Sequence, residues 1–280
     1  MRSVLITGTS SGIGLATAVV LASRGWRVFA MMRNLKKRGQ LDQALRTAGV
    51  QDKVYVEELD VTSKASIQAA TDSILVRTGT TLDAVVHNAG VAAAGALEDI
   101  PDSELRRVME TNFFGVLGLT RALLPTIRAQ GHGRIVVVSS EAAFYGQPTN
   151  AIYCASKWAI EGWTEATAYE LEPFGIDVAL VEPGPHRTAI WESTPRFQPA
   201  GSPYRSWVRQ VFGAADAHAA TMSRDPKEVA LVIARALEAR EPRFRYPVGL
   251  FARLNHFFRG KVPTTWLRKA MKLYLGMSRS

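Results

Sequence analysis

The sequence has little that could form a covalent cross-link or cross a membrane. Cys154 is the single cysteine among 280 residues, so the chain cannot form an internal disulfide, which is consistent with a reducing compartment. No apolar run reaches the roughly eighteen residues of a membrane-spanning helix, and the apolar N-terminus is too short to predict a secretory signal. With 47% hydrophobic and 21% charged residues, the composition favours a soluble protein with one α/β domain large enough to bury a sizeable core.

Acidic residues are scarce in the C-terminal part of the chain. Residues 201–280 carry a net charge of +10 and residues 1–200 carry −1, which together give the formal charge of +9. Residues 251–280 contain seven basic residues, no acidic residue and many apolar ones. Such a basic amphipathic extension could contact an anionic membrane, or it could pack as a helix on the domain or on a second subunit. No recognised nucleic-acid motif is present, so we expect no nucleic-acid partner.

A glycine-rich turn near the N-terminus predicts a binding site for the pyrophosphate of a dinucleotide. The turn, Thr-Gly-Thr-Ser-Ser-Gly-Ile-Gly, follows an apolar run at residues 4–6 and precedes a helical pattern at residues 15–22. Gly8 permits the tight turn, Gly12 allows close approach of a pyrophosphate, and Gly14 allows the helix to pack on the strand. The N-terminus of the helix adds N–H groups and a partial positive charge that favour an anion.

Tyr153 and Lys157 predict an acid–base function. The two residues are four positions apart, so on a helix their side chains would project from one face. Tyr153 follows Ser140 by thirteen residues. An adjacent ammonium favours the ionised phenol, whose pKa in a free tyrosine is about 10. Tyr-x-x-x-Lys pairs are also common as plain surface neighbours, so the glycine turn upstream strengthens the catalytic interpretation.

Together, the two motifs resemble the signature of the short-chain dehydrogenase/reductase family. Over most of the chain the order of motifs is similar to that of the family, and residues 152–157, 181–185 and 243–246 look closest to 17β-hydroxysteroid and retinol dehydrogenases. The resemblance implies a Rossmann fold, an α/β fold with a single doubly wound parallel sheet and helices on both faces. The pattern predicts strands near 3–7, 27–32, 53–59, 82–87, 134–139, 176–181 and 243–247, and helices near 12–24, 38–48, 63–78, 102–129, 152–173 and 226–239.

The resemblance also implies a role for individual residues. Ser140 and Tyr153 would bind a carbonyl oxygen and Tyr153 would transfer the proton, while Lys157 would contact the nicotinamide ribose and Asn112 would link Lys157 to a water. No metal is expected. The residues implied to bind the dinucleotide lie mostly at the predicted strand ends: Gly8, Ser10, Ser11, Gly12, Ile13, Gly14, Arg33, Asp60, Val61, Asn88, Ala89, Gly90, Tyr153, Lys157, Pro183, Gly184 and Thr188.

Arg33 predicts NADP(H) as the cofactor. It stands 19 residues after Gly14, where an acidic residue would hold a ribose 2′-hydroxyl and an arginine suits a 2′-phosphate. No Asp or Glu occurs between Gly14 and Asp42. Charge-assisted bonds to a guanidinium contribute roughly 1.5–3 kcal/mol, so we expect a preference over NAD(H) of about one to two orders of magnitude. We interpret the basic residues at 36–38 as a solvated start of a helix.

Residues 186–225 are expected to form a lid over the substrate. They contain Trp191 and other aromatic residues among several prolines. Aromatic side chains line pockets for large apolar ligands, so a steroid, retinoid or long-chain ketone fits better than a small sugar, although such residues can also pack only within the lid. We expect Ser140, Glu141, Tyr153 and Trp191 to contact the substrate.

Three residues depart from the family pattern. Glu141 could point into the substrate pocket, or it could turn away and pair with a neighbouring helix. His186 could titrate beside the nicotinamide, or it could contact the carboxamide through its backbone with its ring in solvent. His87 is interpreted as a packing residue at the end of a strand.

The alternatives to a lipophilic carbonyl reductase are a β-ketoacyl thioester reductase, whose basic tail would hold an acidic carrier protein, and a dinucleotide sensor without turnover. We expect a catalytic domain at residues 1–250, an extension at 251–280, and a homo-oligomer, either a dimer or a tetramer. The protein is expected to be cytoplasmic, with possible peripheral membrane contact through the extension.

Overall fold

Short apolar runs of the sequence form the strands of a parallel sheet. The computed structural model describes residues 1–258 and 261–274. Within them, seven strands pair in the order β3-β2-β1-β4-β6-β7-β9, and β5 and β8 form a separate pair. The strands are β1 (Ser3–Thr7), β2 (Arg27–Met32), β3 (Val54–Glu58), β4 (Ala84–His87), β5 (Ala94–Gly95), β6 (Gly133–Val138), β7 (Ile176–Pro183), β8 (Arg196–Phe197) and β9 (Arg245–Val248). The strand order reverses between β1 and β4, where such sheets bind ligands beyond their carboxyl ends.

Helices cover both faces of the sheet. Side chains alternate along each strand, so Val4 and Ile6 pack into one core cluster with α1, α2 and α9, while Leu5 packs into another with α3, α5 and α6. This confirms the predicted doubly wound Rossmann fold. The helices are α1 (Gly12–Ser23), α2 (Gly39–Ala48), α3 (Lys64–Thr78), α4 (Asp102–Met109), α5 (Gly115–Gln130), α6 (Ala151–Leu171), α7 (Ala189–Glu192), α8 (Arg205–Met222), α9 (Pro226–Glu238), α10 (Leu250–Phe258) and α11 (Thr264–Tyr274).

The helix predicted at residues 102–129 is interrupted. A π-helical segment, Glu110–Phe114, separates α4 from α5 and contains Asn112. π-helical turns are rare and occur frequently at functional sites. The apolar periodicity continues across the segment, which is why the sequence predicts one helix.

The predicted lid contains a helix that the sequence analysis missed. Its prolines precede α8, and Val208, Val211 and Phe212 form the buried side of that helix at helical spacing. Phe212 and Val208 pack on Ala94 and Ala96, which follow the fourth strand. The i, i+3, i+4 spacing was the available signal, and the proline-rich start of the segment obscured it.

The expected extension is joined to the domain by α10. This helix begins at Leu250, across the predicted boundary, and its Ala252 is fully buried. Residues 259–260 and 275–280 of the predicted extension lie outside the described residues. Within the described part of the chain, no helix is both long enough and apolar enough to span a membrane.

Candidate active site

The structure brings the predicted catalytic side chains together at the end of β6. Ser140 lies just beyond this strand, and its Oγ accepts a hydrogen bond from the Ala142 N–H at 3.1 Å. The phenol of Tyr153, in the first turn of α6, is hydrogen-bonded to the side chain of Ser140. One turn later, Lys157 donates from Nζ to the Val138 carbonyl at 2.9 Å, and this Nζ is 5.8 Å from the centre of the Tyr153 ring. A hydrogen-bonded pair of hydroxyl groups with an adjacent ammonium is suited to proton transfer at a carbonyl oxygen.

Burial dominates the acid–base properties of the pair. It raises the pKa of Tyr153 to about 12, although the hydrogen bond from Ser140 acts in the opposite direction. Burial also lowers the pKa of Lys157 to about 8, while the charge of Glu161 acts to raise it. The net shift of the phenol pKa is therefore upward, because desolvation of the phenolate is the largest contribution, and the predicted lowering by Lys157 stays a prediction. At neutral pH, Tyr153 carries a proton that it can donate.

Asn112 holds the loop after β4 against α6. Its side-chain oxygen accepts from the Val91 N–H at 2.8 Å, and its Nδ2 donates to the Val91 carbonyl at 2.8 Å and to Ser156 Oγ at 3.0 Å. These contacts were not predicted from the sequence. A Cβ added to Gly90 would lie 3.5 Å from Asn112 Oδ1 and 3.9 Å from Lys157 Nζ, so the three residues are neighbours. The predicted water between Asn112 and Lys157 stays a prediction.

The glycine-rich turn is held tightly against the end of β4. Gly8 has a φ of +72°, and a Cβ added there would lie 2.8 Å from the Cα of Ala89. Asn88 donates from Nδ2 to the carbonyl of Gly8 at 3.1 Å, and a Cβ on Gly14 would overlap both groups. Asn88, Ala89 and Gly14 therefore set the shape of the turn, since even a methyl group does not fit between them.

The N-terminus of α1 is suited to bind an anion. In the described part of the chain, Ser11 makes no capping hydrogen bond with its side chain, and the first turn of α1 has no acidic residue. Ser10, Ser11 and Ile13 are partly exposed there. On the other side, a Cβ on Gly12 would lie 3.3 Å from Thr188 Cβ, so the loop after β7 borders the turn. The free N–H groups and this narrow cradle fit a pyrophosphate.

Arg33 is exposed directly after β2, beside the glycine turn. Thr9 links the two segments, because its N–H and its hydroxyl both donate to the Met31 carbonyl at 3.0 Å. Arg38 instead pairs with Asp42 at 2.8 Å, in agreement with its interpretation as part of a helix start. The position of Arg33 fits a 2′-phosphate on the ribose nearest the turn.

The remaining predicted cofactor residues lie along the same edge of the sheet. Asp60 follows β3, and one of its oxygens accepts from the Thr62 N–H and hydroxyl at 2.9 and 2.7 Å. Val61 packs against the start of α5, where a Cβ on Gly115 would be 2.8 Å from Val61 Cγ2. Beyond Pro183, the N–H of Gly184 donates to the Val248 carbonyl at 3.0 Å and fixes the loop that leads to Thr188.

Glu141 turns toward α10. Its carboxyl group is hydrogen-bonded to Asn255 of that helix, which matches the second alternative for this residue. Burial raises the pKa of Glu141 to about 7, while the Asn255 hydrogen bond acts to lower it. Its charge in turn acts to raise the pKa of Tyr153. Glu141 is therefore an electrostatic neighbour of the phenol, and its expected contact with a substrate stays a prediction.

The two unusual histidines are both buried. His186 Nδ1 is 2.9 Å from the Gly184 carbonyl and its Nε2 is 3.6 Å from Glu228 Oε2, so the expectation of a ring in solvent is wrong. His87 Nε2 is 2.9 Å from Thr120 Oγ1, and burial lowers the pKa of this histidine to about 3. The interpretation of His87 as a packing residue at the end of a strand is confirmed, because it is buried at the end of β4.

The first lid helix covers the candidate acid. The ring of Trp191 on α7 meets the ring of Tyr153 edge to face, with centroids 5.4 Å apart. Ile190 packs beside it on Ala142 and Cys154. Trp191 is 36% exposed, so part of its face is available to a ligand that reaches Tyr153.

The sequence analysis missed a charge cluster that links the elements around the site. Arg245 of β9 pairs with Glu161, with Glu182 at 2.7 Å and with Glu165 at 2.8 Å. His256 of α10 approaches Glu182 at 3.4 Å. The cluster ties α6, β7, β9 and α10 together directly before Pro183.

Among the described residues, no group of three or more His, Cys, Asp or Glu side chains is arranged to hold a metal ion.

The family model for short chain dehydrogenases matches residues 2–198, and the chain belongs to this family. It is 38% identical over 264 residues to an uncharacterized oxidoreductase of Bacillus subtilis, YusZ, an alignment that covers 92% of this chain and 93% of the relative. Human 17-beta-hydroxysteroid dehydrogenase type 1 is 36% identical over 264 residues (87% and 76%), and bovine retinol dehydrogenase 8 is 37% identical over 254 residues (87% and 80%).

A crystal structure of a short-chain dehydrogenase from Streptomyces avermitilis has the same fold. It superposes with a TM-score of 0.81 at 30% sequence identity and covers 99% of this chain and 98% of that chain. The protein is thus a short-chain oxidoreductase that uses a nicotinamide dinucleotide.

Proposed function

We propose that this protein is an NADP(H)-dependent reductase of a bulky lipophilic ketone or aldehyde, with Ser140, Tyr153, Lys157 and Asn112 as its catalytic residues. The observation that carries the proposal is the hydrogen-bonded pair of the partly exposed Ser140 and the buried Tyr153, with Trp191 packed on the tyrosine. In the reverse direction, the same residues would oxidise the corresponding alcohol.

The protein supplies binding and proton transfer. The hydroxyl groups of Ser140 and Tyr153 both donate to the carbonyl oxygen, where negative charge develops during reduction. Tyr153 then gives its proton to that oxygen, and its pKa of about 12 keeps the proton in place until then. Lys157 presents a buried ammonium beside the phenol and limits the cost of the phenolate that remains. When bound, the nicotinamide supplies the hydride.

The cofactor preference rests on Arg33. The turn at residues 8–14, the N-terminus of α1 and the neighbouring Thr188 fit a dinucleotide pyrophosphate, and Arg33 stands exposed next to them. We expect kcat/KM with NADPH to exceed that with NADH by about one to two orders of magnitude, and Arg33→Asp to reverse the preference. A matched control is Arg38→Asp, which removes a neighbouring cation that already pairs with Asp42. A wild-type enzyme that prefers NADH would contradict the assignment.

The substrate class rests on the lid. Trp191 offers an aromatic face next to the candidate acid, and the names of two relatives mention a hydroxysteroid and retinol. The test is a panel of ketosteroids, retinal, long-chain ketones and acetoacetyl thioesters, assayed with NADPH. We expect the highest kcat/KM for a steroid, retinoid or long-chain carbonyl. A clear preference for the thioesters would favour a β-ketoacyl reductase, and no turnover of any carbonyl would favour a dinucleotide sensor.

We further propose a cytoplasmic homo-oligomer. Trp158 and Tyr169 of α6, and Phe114 at the end of the π-helical segment, are large apolar side chains between 50% and 71% exposed, as expected at a subunit interface. The catalytic unit comprises residues 1–250 with the lid at 186–225, and the basic extension contributes α10 to its packing. Light scattering of the purified protein would give the subunit number.

A further inference from the structure

We propose that one face of α10 docks on an anionic lipid membrane. This α10 outer face consists of Leu250, Phe251, Leu254, Phe257 and Phe258. The proposal names a partner of the enzyme, and only its consequence for substrate supply rests on the proposed function.

The α10 outer face is apolar and exposed. Its five side chains are between 42% and 61% exposed, although each is a leucine or a phenylalanine. Residues spaced by four, seven and eight positions lie on one side of a helix, so they form a continuous stripe. Single exposed apolar residues are ordinary, but a contiguous stripe of five indicates a surface that binds a membrane or another protein.

The stripe cannot turn inward, because the opposite side of α10 is attached to the domain. Ala252 is fully buried there, Asn255 is hydrogen-bonded to Glu141, and His256 lies 3.4 Å from Glu182. The attachment of the opposite side keeps the stripe on the protein surface, where it is accessible to a partner.

Basic residues within α10 and in the chain that follows it favour an anionic partner. Residues 251–280 contain seven basic residues and no acidic residue. Arg253 lies within α10, Lys261 stacks over the Phe257 ring at 4.0 Å, and Arg268, Lys269 and Lys272 are exposed on α11. A basic amphipathic helix next to exposed aromatic rings is the pattern of a segment that lies in the headgroup region of anionic lipids. A second copy of this chain fits less well, because symmetric pairing would bring two basic faces together.

The α10 outer face also borders the lid. The ring centroid of Phe251 is 6.1 Å from that of His218 on α8, the second lid helix. A protein docked through this face would hold its lid near the lipid surface. A lipophilic carbonyl dissolved in that lipid would then reach the site without crossing water.

The test is sedimentation of the full-length protein with vesicles, without cofactor or substrate, so that its result does not depend on the proposed activity. We expect binding to vesicles of phosphatidylserine and phosphatidylcholine at low salt, at least tenfold weaker binding to pure phosphatidylcholine, and release at high salt. The double variant Leu254→Glu/Phe257→Glu should bind at least tenfold more weakly. Val76→Glu is the matched control, because Val76 is 84% exposed on α3, and it should bind like the wild type.

A second, charge-based variant covers the case in which acidic residues on α10 impair folding. Lys269→Glu/Lys272→Glu changes only exposed side chains of α11, and each basic residue near an anionic surface contributes roughly fivefold to binding. Wild-type protein that stays in the supernatant at low salt would overturn the proposal. So would binding that neither pair of substitutions weakens. If Leu254→Glu/Phe257→Glu splits an oligomer and leaves vesicle binding intact, the face is a subunit interface instead.

Discussion

Replacing the half-buried Glu141 by glutamine should stabilise the protein at alkaline pH. Burial raises the pKa of this carboxyl from an ordinary 4.5 to about 7. A pKa that is higher in the folded than in the unfolded state makes stability fall as the pH rises from about 4.5 to 7, and the loss is complete above pH 7. Each unit is worth about 1.4 kcal/mol, so the ionised Glu141 destabilises the native state by about 3 kcal/mol at pH 8.

Urea unfolding of wild-type protein and Glu141→Gln at pH 5 and pH 8 measures this difference. The glutamine is isosteric and can keep a hydrogen bond to Asn255, while it removes the charge. We expect the free energies of unfolding to be similar at pH 5 and the variant to be more stable by up to about 3 kcal/mol at pH 8. Glu241→Gln serves as control for the loss of an exposed carboxylate. An equal effect of Glu141→Gln at both pH values would refute the reasoning, because the native carboxyl would then titrate as in the unfolded chain.

The same substitution should shift the pH dependence of catalysis. The charge of Glu141 acts to raise the pKa of Tyr153, so its removal should lower that pKa. The alkaline decline of ketone reduction, which needs the protonated phenol, should then move to lower pH. Alcohol oxidation, which needs the phenolate, should begin at lower pH as well. Profiles that superpose on those of the wild type would show that Glu141 does not influence the acid.

Three further substitutions and one control test the acid, the glycine turn and the lid. Tyr153→Phe should lower kcat at least about 100-fold while NADPH still binds in a fluorescence titration, because it removes the transferable proton; retention of more than a few per cent of kcat would contradict the assignment. Gly8→Ala should cost about 2–5 kcal/mol in urea unfolding, because its methyl meets Ala89 and its φ is positive. Gly131→Ala is the control, because Gly131 has a φ of +70° and no described atom lies within 4 Å of the added methyl, and it should cost only about 1–2 kcal/mol. Equal losses of stability in the two variants would contradict the close contact between Gly8 and Ala89. Trp191→Ala should raise KM at least about tenfold for a bulky ketone and little for a small one; equal increases would exclude a role in substrate selection.

The sequence by itself determined the sheet, the dinucleotide turn and the candidate acid. Apolar runs of four to six residues between helical patterns require buried parallel strands. Gly8 and Gly14 are required in the turn because a Cβ at either position would overlap neighbouring atoms in the structure. The spacing of Tyr153 and Lys157 requires a shared helix face. These features depend on local geometry, and local geometry is encoded in neighbouring residues.

Tertiary structure decided the features that depend on distant residues. The pKa of Tyr153 is raised because several segments bury the phenol, although the local pair with Lys157 suggests the opposite shift. The direction of Glu141 depends on Asn255, more than a hundred residues later, and the outward stripe on α10 depends on which side of that helix the domain occupies. The burial of a side chain and its hydrogen-bond partner depend on contacts with residues distant in the sequence. A local sequence pattern does not contain these contacts, so only the folded chain shows them.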